Sequence, residues 1–190
     1  MRTAWVINGA MVLVLVNASG VGAQSSEFSR PATPQETGSS YSTGEFAEGE
    51  WRGGGDLGML GSTPDGTAFA MNGTLDYFVS DRVSVGPLLQ LGFTDDMNQI
   101  GLSGQGKYWI PLSGTEGRGK LALQSGLGFA HSDFRQDDTS WLIPVGVGYD
   151  YTLDSGPTLS ATTLVNFTNL HTGAGSGADV MPGLAFGVRF

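Results

Sequence analysis

The run His131-Ser132-Asp133, together with His171, holds the only histidines of this 190-residue chain and is the first place to look for chemistry. A serine activated by an imidazole that a carboxylate orients would be a hydrolase constellation. The surrounding pattern argues against that use. His131 and Ser132 are adjacent within the alternating stretch "LALQSGLGFAHSDF", and neighbours on a strand point to opposite faces. Both histidines carry the apolar parity of their segments, so they read as interfacial residues, and no catalytic residue is assigned. "GLSGQGKY", Gly101 to Tyr108, nearly spells a phosphate loop. Tyr108 stands where a phosphate loop needs Ser or Thr, however, and the alternation runs on without a helical pattern. Asp95, Asp96, Asp133, Asp137, Asp138 and Asp179 gather at one set of segment ends. No spacing among them matches a calcium loop, so the reading is a solvated acidic rim, with no metal and no cofactor.

A second set of charges is more informative. Arg52, Asp56, Asp76, Lys107, Lys120, Asp150 and Arg189 all fall on the small, polar side of alternating segments. If that side lines the inside of a narrow barrel, there is room for side chains and little else. Charges enclosed there should pair, because an unpaired buried charge is costly. The expectation is an ionic plug that blocks conduction and ties the first strand to the last. The competing expectation is a narrow, gated ion path lined by the same residues.

The elements that would hold these residues follow from a period of two. In "RVSVGPLLQLGF", Val83, Val85, Pro87, Leu89, Leu91 and Phe93 share one face, opposite Ser84, Gly86, Leu88, Gln90 and Gly92. Comparable alternation recurs around 99–112, 120–129, 141–151, 159–168 and 180–190. With "TAFAMNGTLDYFV" and a weaker glycine-rich segment near 51–60, the count is eight strands. Each is close to the roughly 9–11 residues that a tilted strand needs to cross a bilayer. One face is almost unbroken aliphatic and aromatic; the other is Gly, Ser, Thr, Gln and Ala. A water-soluble barrel has the opposite arrangement, with bulky apolar residues inside and charge outside. Lipid on the outside resolves the inversion, which makes the fold class all-β, an eight-stranded antiparallel up-and-down transmembrane barrel. Aromatics near the two sets of strand ends, Trp51, Tyr77, Tyr108, Tyr149, Tyr151 and Phe190 against Phe69, Phe93, Phe129, Trp141 and Phe167, fit two interfacial girdles.

Composition agrees. There are 31 glycines, no cysteine and only 14% charged residues, a poor mixture for helices and one that excludes disulfides and thiolate metal sites. Residues 1–23 have the layout of a cleaved secretory signal: Arg2, an apolar run and small residues before Gln24. The chain from Gln24 then carries 8 basic and 18 acidic residues, which argues against nucleic acid as a partner. Residues 24–50, rich in Ser, Thr, Glu, Gly and Pro, read as a flexible tail on the periplasmic side, and 51–190 as the barrel. Tight connections at "SDR" and "DSGP", with the somewhat longer "SGTEGRG", are expected to be periplasmic. "TDDMN", "HSDFRQDDTS" and "HTGAGSGAD" are expected to face outward.

The hairpin "YFVSDRVSVGP" and the terminal "GLAFGVRF" make residues 51–190 resemble the small bacterial outer-membrane β-barrels of the OmpA and OmpX kind. The resemblance implies that Leu184, Phe186, Val188 and Phe190 form the C-terminal signal read by the barrel assembly machinery. It further implies a monomer in the outer membrane, in contact with lipids and lipopolysaccharide. The role it implies is envelope structure or surface interaction, not enzymatic. A small low-conductance, porin-like channel is the first alternative. A lipid-modifying enzyme is the second, and would require His131 or His171 beside Ser132 and a carboxylate.

Overall fold

The computed structural model describes residues 46–173, 175 and 177–190; the expected signal segment and residues 24–45 of the expected tail lie outside them. Eight strands follow in chain order: β1 (Trp51–Thr63), β2 (Gly66–Ser80), β3 (Val83–Phe93), β4 (Asn98–Pro111), β5 (Gly119–Ser132), β6 (Asp138–Thr152), β7 (Thr158–His171) and β8 (Gly177–Arg189). Each pairs antiparallel with its sequence neighbours, and β1 pairs with β8, so the sheet closes into a barrel without edges. The seam runs from Gly54 opposite Arg189 to Leu60 opposite Gly183. Phe190 extends it by one rung, since its N–H donates to the Gly53 carbonyl and the Gly53 N–H donates back.

The alternation sorts the side chains as the period of two requires. Leu57, Met59, Leu89, Leu102, Leu127, Val145, Leu184 and Phe186 stand exposed on the outer surface. Asp56, Gln90, Ser103, Gln105, Thr162 and Asn166 are buried in the lumen. An apolar belt of this extent around a whole barrel is a lipid-facing surface, because a protein in water keeps its apolar patches small. Outward aromatics meet across the ladder at both ends: Trp51 against Tyr77, with ring centroids 4.9 Å apart, at one, and Phe69 opposite Phe93 and Phe129 opposite Trp141 at the other.

The end where β1 begins and β8 finishes is called the lower mouth below, and the other the upper mouth. Connections at the upper mouth span 64–65, 94–97, 133–137 and 172–176; those at the lower mouth span 81–82, 112–118 and 153–157. This corrects the expected inequality of turns. The strands run further into "TDDMN", "HSDFRQDDTS" and "HTGAGSGAD" than the sequence suggests, and the longest connection, 112–118, is at the lower mouth. Backbone pairing of polar residues such as Asn98 and Asp138 shortens the upper loops, since ladder bonds form regardless of side-chain polarity.

Candidate functional site

The lumen is built in layers. Its central ionic layer comes from the even-numbered strands alone. Lys107 of β4 donates from Nζ to Asp76 Oδ2 of β2 at 2.8 Å. Arg189 of β8 donates from Nη1 to the same Asp76 oxygen at 3.1 Å. Arg189 Nε also lies 3.0 Å from Asp150 Oδ2 of β6, an ion pair without hydrogen-bond geometry. The cluster holds two cations and two carboxylates, all buried, so its formal charge cancels. Inward side chains of neighbouring strands are staggered along a tilted barrel, so alternate strands meet at one level. That geometry corrects the expectation of an ionic tie from the first strand to the last: β1 is joined to β8 by its backbone ladder, while the ion pairs join β2, β4, β6 and β8.

The remaining predicted lumenal charges lie outside this cluster, Asp56 and Lys120 buried and Arg52 half-buried. Asp56 of β1 accepts a hydrogen bond of 2.6 Å from Ser160 Oγ of β7, a link between odd-numbered strands. Arg52 pairs with Glu50 at 3.2 Å near the lower mouth, and Lys120 lies with its Nζ 3.3 Å from the centre of the Phe46 ring. Above the ion pairs is a polar belt that includes Asn72, Gln90, Ser103, Gln105 and Asn166. Several of its oxygens, and both polar atoms of the Gln105 amide, have no protein partner.

Two further layers escape the charge pattern. Near the upper mouth Leu60, Met97, Phe134, Leu142, Leu170 and Met181 pack with small alanines into a closed apolar cluster. The reading of the inward face as Gly, Ser, Thr, Gln and Ala is therefore corrected for this half of the barrel, which holds a hydrocarbon core. The parity signal was present: Leu142 and Met181 occupy the same side as Asp150 and Arg189. Met97 and Phe134 had no such signal, because they enter from loops. Near the lower mouth Phe46, Phe78 and Trp109 pack together, with Phe46 tilted on Phe78 at 4.3 Å and edge-on to Trp109 at 4.8 Å between ring centroids. Trp109 Nε1 donates to Ser84 Oγ at 2.9 Å, which satisfies the buried indole. Phe46 belongs to the segment expected to be a flexible tail; residues 46–50 are instead folded against the barrel.

The other candidate residues go elsewhere. His131 Nδ1 meets Thr139 Oγ1 at 2.8 Å on the outer surface, while Ser132 is buried in the lumen. His171 is exposed, and its backbone N–H donates to Asp138 Oδ2. "GLSGQGKY" lies wholly within β4, and its lysine is the ion-pair partner of Asp76. In the acidic rim Asp133 accepts from the Asn98 backbone N–H, so this carboxylate caps a strand end. Among the described residues no group of three or more potential ligands is arranged to hold a metal ion. Leu184, Phe186 and Val188 face outward on β8, and Phe190 is 83% exposed beside the seam.

Two solved barrels share this architecture. Neisserial surface protein A superposes with a TM-score of 0.53 at 16% identity, over 73% of this chain and 94% of that one. The N-terminal β-barrel domain of Pseudomonas aeruginosa OprF superposes with a TM-score of 0.50, also at 16% identity, over 73% of this chain and 97% of that domain. No protein-family model and no curated protein sequence matches the chain. The likeness is one of fold, and the fold is that of the small eight-stranded outer-membrane barrels.

Proposed function

We propose that this chain is an outer-membrane barrel with a structural or surface-interaction role and a lumen closed to ions. It would be exported by a cleaved N-terminal signal, with its lower mouth facing the periplasm and lipid and lipopolysaccharide around its belt. The observation that carries the closed lumen is the sequence of seals along one axis: an aromatic layer, the balanced Asp76–Lys107–Arg189–Asp150 cluster and an apolar cluster. An ion crossing it would have to displace a buried, self-neutralised network and then a hydrocarbon layer.

Planar-bilayer recording on refolded residues 24–190 tests this reading. The parent is expected to be silent. A variant with Arg52, Lys107 and Arg189 neutralised is expected to stay silent too, because the upper apolar cluster is a second seal. Reproducible discrete conductance in the parent would overturn the closed lumen and favour the porin-like alternative.

The terminal strand has a separate role in this reading, as the signal for assembly. Phe190 touches its own barrel mainly through the two backbone bonds to Gly53, which any residue can make. Phe190→Ser is therefore expected to refold in detergent with stability within about 0.5 kcal/mol of the parent, as for most surface changes. In cells the same variant is expected to leave markedly less folded barrel in the outer membrane, read by gel mobility before and after boiling. Equal amounts of folded parent and variant in cells would count against the signal.

A further inference from the structure

Residues 46–50 occupy the lower mouth through a small built structure. The Glu50 N–H donates to the Ala47 carbonyl at 3.1 Å, closing a turn over Ala47-Glu48-Gly49-Glu50. Gly49 has φ +85°, the left-handed conformation that glycine adopts at no steric cost at the third position of such a turn. The Glu50 carboxylate reinforces the reversal by accepting from the Ala47 N–H and pairing with Arg52. The turn carries Phe46 back over the opening, where it is 5% exposed. There its ring meets Phe78 and Trp109, with the Arg52 guanidinium 4.5 Å and the Lys120 ammonium 3.3 Å from its centre. Cations over an aromatic face are attractive, and more so where water is excluded.

Phe46 stands between the ionic layer and the outside. A cavity of about 10 Å³ on the inner side is lined by Phe46, Trp109, Asp76, Asp150 and Arg189. A second, of about 70 Å³, opens at the mouth and is lined by Trp109, Lys120, Asp81 and Arg82. Trp109 borders both, and Phe46, which packs on Trp109 and lies against Lys120, lines only the inner one. Two backbone bonds tie this segment to β2: the Gly49 N–H donates to the Phe78 carbonyl and the Phe78 N–H donates to the Glu50 carbonyl, while the continuous strand pairing starts at Trp51.

We propose that residues 46–50 form a hinged lid on the lower mouth, with Phe46 as its latch and Gly49 as its hinge, whose opening admits water from that side to the ionic layer. The proposal rests on the closed-lumen reading, which conductance tests, whereas shielding of Trp109 tests the lid separately. With Trp5, Trp51 and Trp141 replaced by phenylalanine, Trp109 is the one indole left, and a neutral water-borne quencher reports its exposure. Phe46→Ala is expected to raise quenching several-fold while leaving the gel-mobility shift of the folded barrel intact. Phe46→Tyr, which keeps the ring, should restore shielding. Gly49→Val, which keeps Phe46 and strains only the turn, should raise quenching as well. Unchanged quenching in Phe46→Ala would remove the latch, and unchanged quenching in Gly49→Val would remove the hinge; either result overturns the lid. The unmutated protein supplies a check that needs no variant. The Gly49 and Phe78 amides should exchange with solvent together, at least about tenfold faster than the amides of the paired residues Tyr108 and Leu123, as a locally opening unit does. Equal protection would make 46–50 a fixed extension of β1 and refute the proposal.

Discussion

Asp76→Ala is expected to destabilise the barrel by about 3–5 kcal/mol, the loss typical of removing one partner from a buried ion pair. Asp76 is the shared acceptor of Lys107 and Arg189, through one oxygen, at 2.8 and 3.1 Å. Without it, two buried cations face the single carboxylate of Asp150, and no bulk water is present to solvate the excess. Lys107 then has no counter-charge in contact with it. The size of the effect comes from this residual charge more than from the lost attraction. The same logic predicts a rescue: Asp76→Ala combined with Lys107→Met leaves Arg189 and Asp150 as a balanced pair and should recover a large part of the loss. Denaturant unfolding in micelles or vesicles, followed by tryptophan fluorescence, gives both values. Asp81→Ala is the control, an exposed carboxylate on the lower turn, expected to fall within about 0.5 kcal/mol of the parent. A single variant as stable as the parent, or a double variant worse than the single, would mean that the cluster is not organised by charge balance.

Gly58→Val should fail to close the barrel. Gly58 faces the lumen at the β1–β8 seam, opposite Ala185 on one side and Ala70 on the other. A Cβ placed there meets the Leu184 carbonyl oxygen and the Ala185 backbone and methyl group, and neither strand can move aside without losing ladder bonds. Backbone cannot rotate out of the way as the end of a long side chain can. The expected cost therefore falls in the exceptional class, above about 4–5 kcal/mol. It is expected to appear as loss of the band whose mobility changes on boiling. Gly73→Val separates this effect from the general loss of a glycine. Gly73 lies on β2 with open space where its Cβ would go, so valine there should be tolerated and should suit a strand. If Gly58→Val folded as well as Gly73→Val, the close approach at the seam would be wrong.

The conserved quantity linking sequence to fold here is parity. Alternation is a local property of an extended chain, because successive side chains must leave opposite faces whatever the rest of the protein does. For that reason Leu57, Leu89, Leu127 and Val145 could be assigned to lipid, and Arg52, Asp56, Asp76, Lys107, Lys120, Asp150 and Arg189 to the inside, before any contact was known. The count of eight strands followed from the same local signal. So did the separation of His131 from Ser132, since adjacent residues of one strand cannot share a face.

What parity could not supply is height and partner. Which inward residues meet depends on tilt and stagger around the closed sheet, quantities that belong to all eight strands at once. Only the tertiary structure therefore brings Asp76, Lys107, Asp150 and Arg189 together while leaving Asp56 to Ser160 and Arg52 to Glu50. The upper seal was half legible, in Leu60, Leu142, Leu170 and Met181 on lumenal parity. Its other half, Met97 and Phe134, folds in from loops, where no periodicity exists to read. Phe46 is the extreme case. Its neighbours have the composition of a chain that gains too little from burial to order itself, and by itself that inference is sound. The gain comes from elsewhere: Phe78, Trp109, Arg52 and Lys120, on four different strands, form the socket that makes one aromatic residue worth ordering.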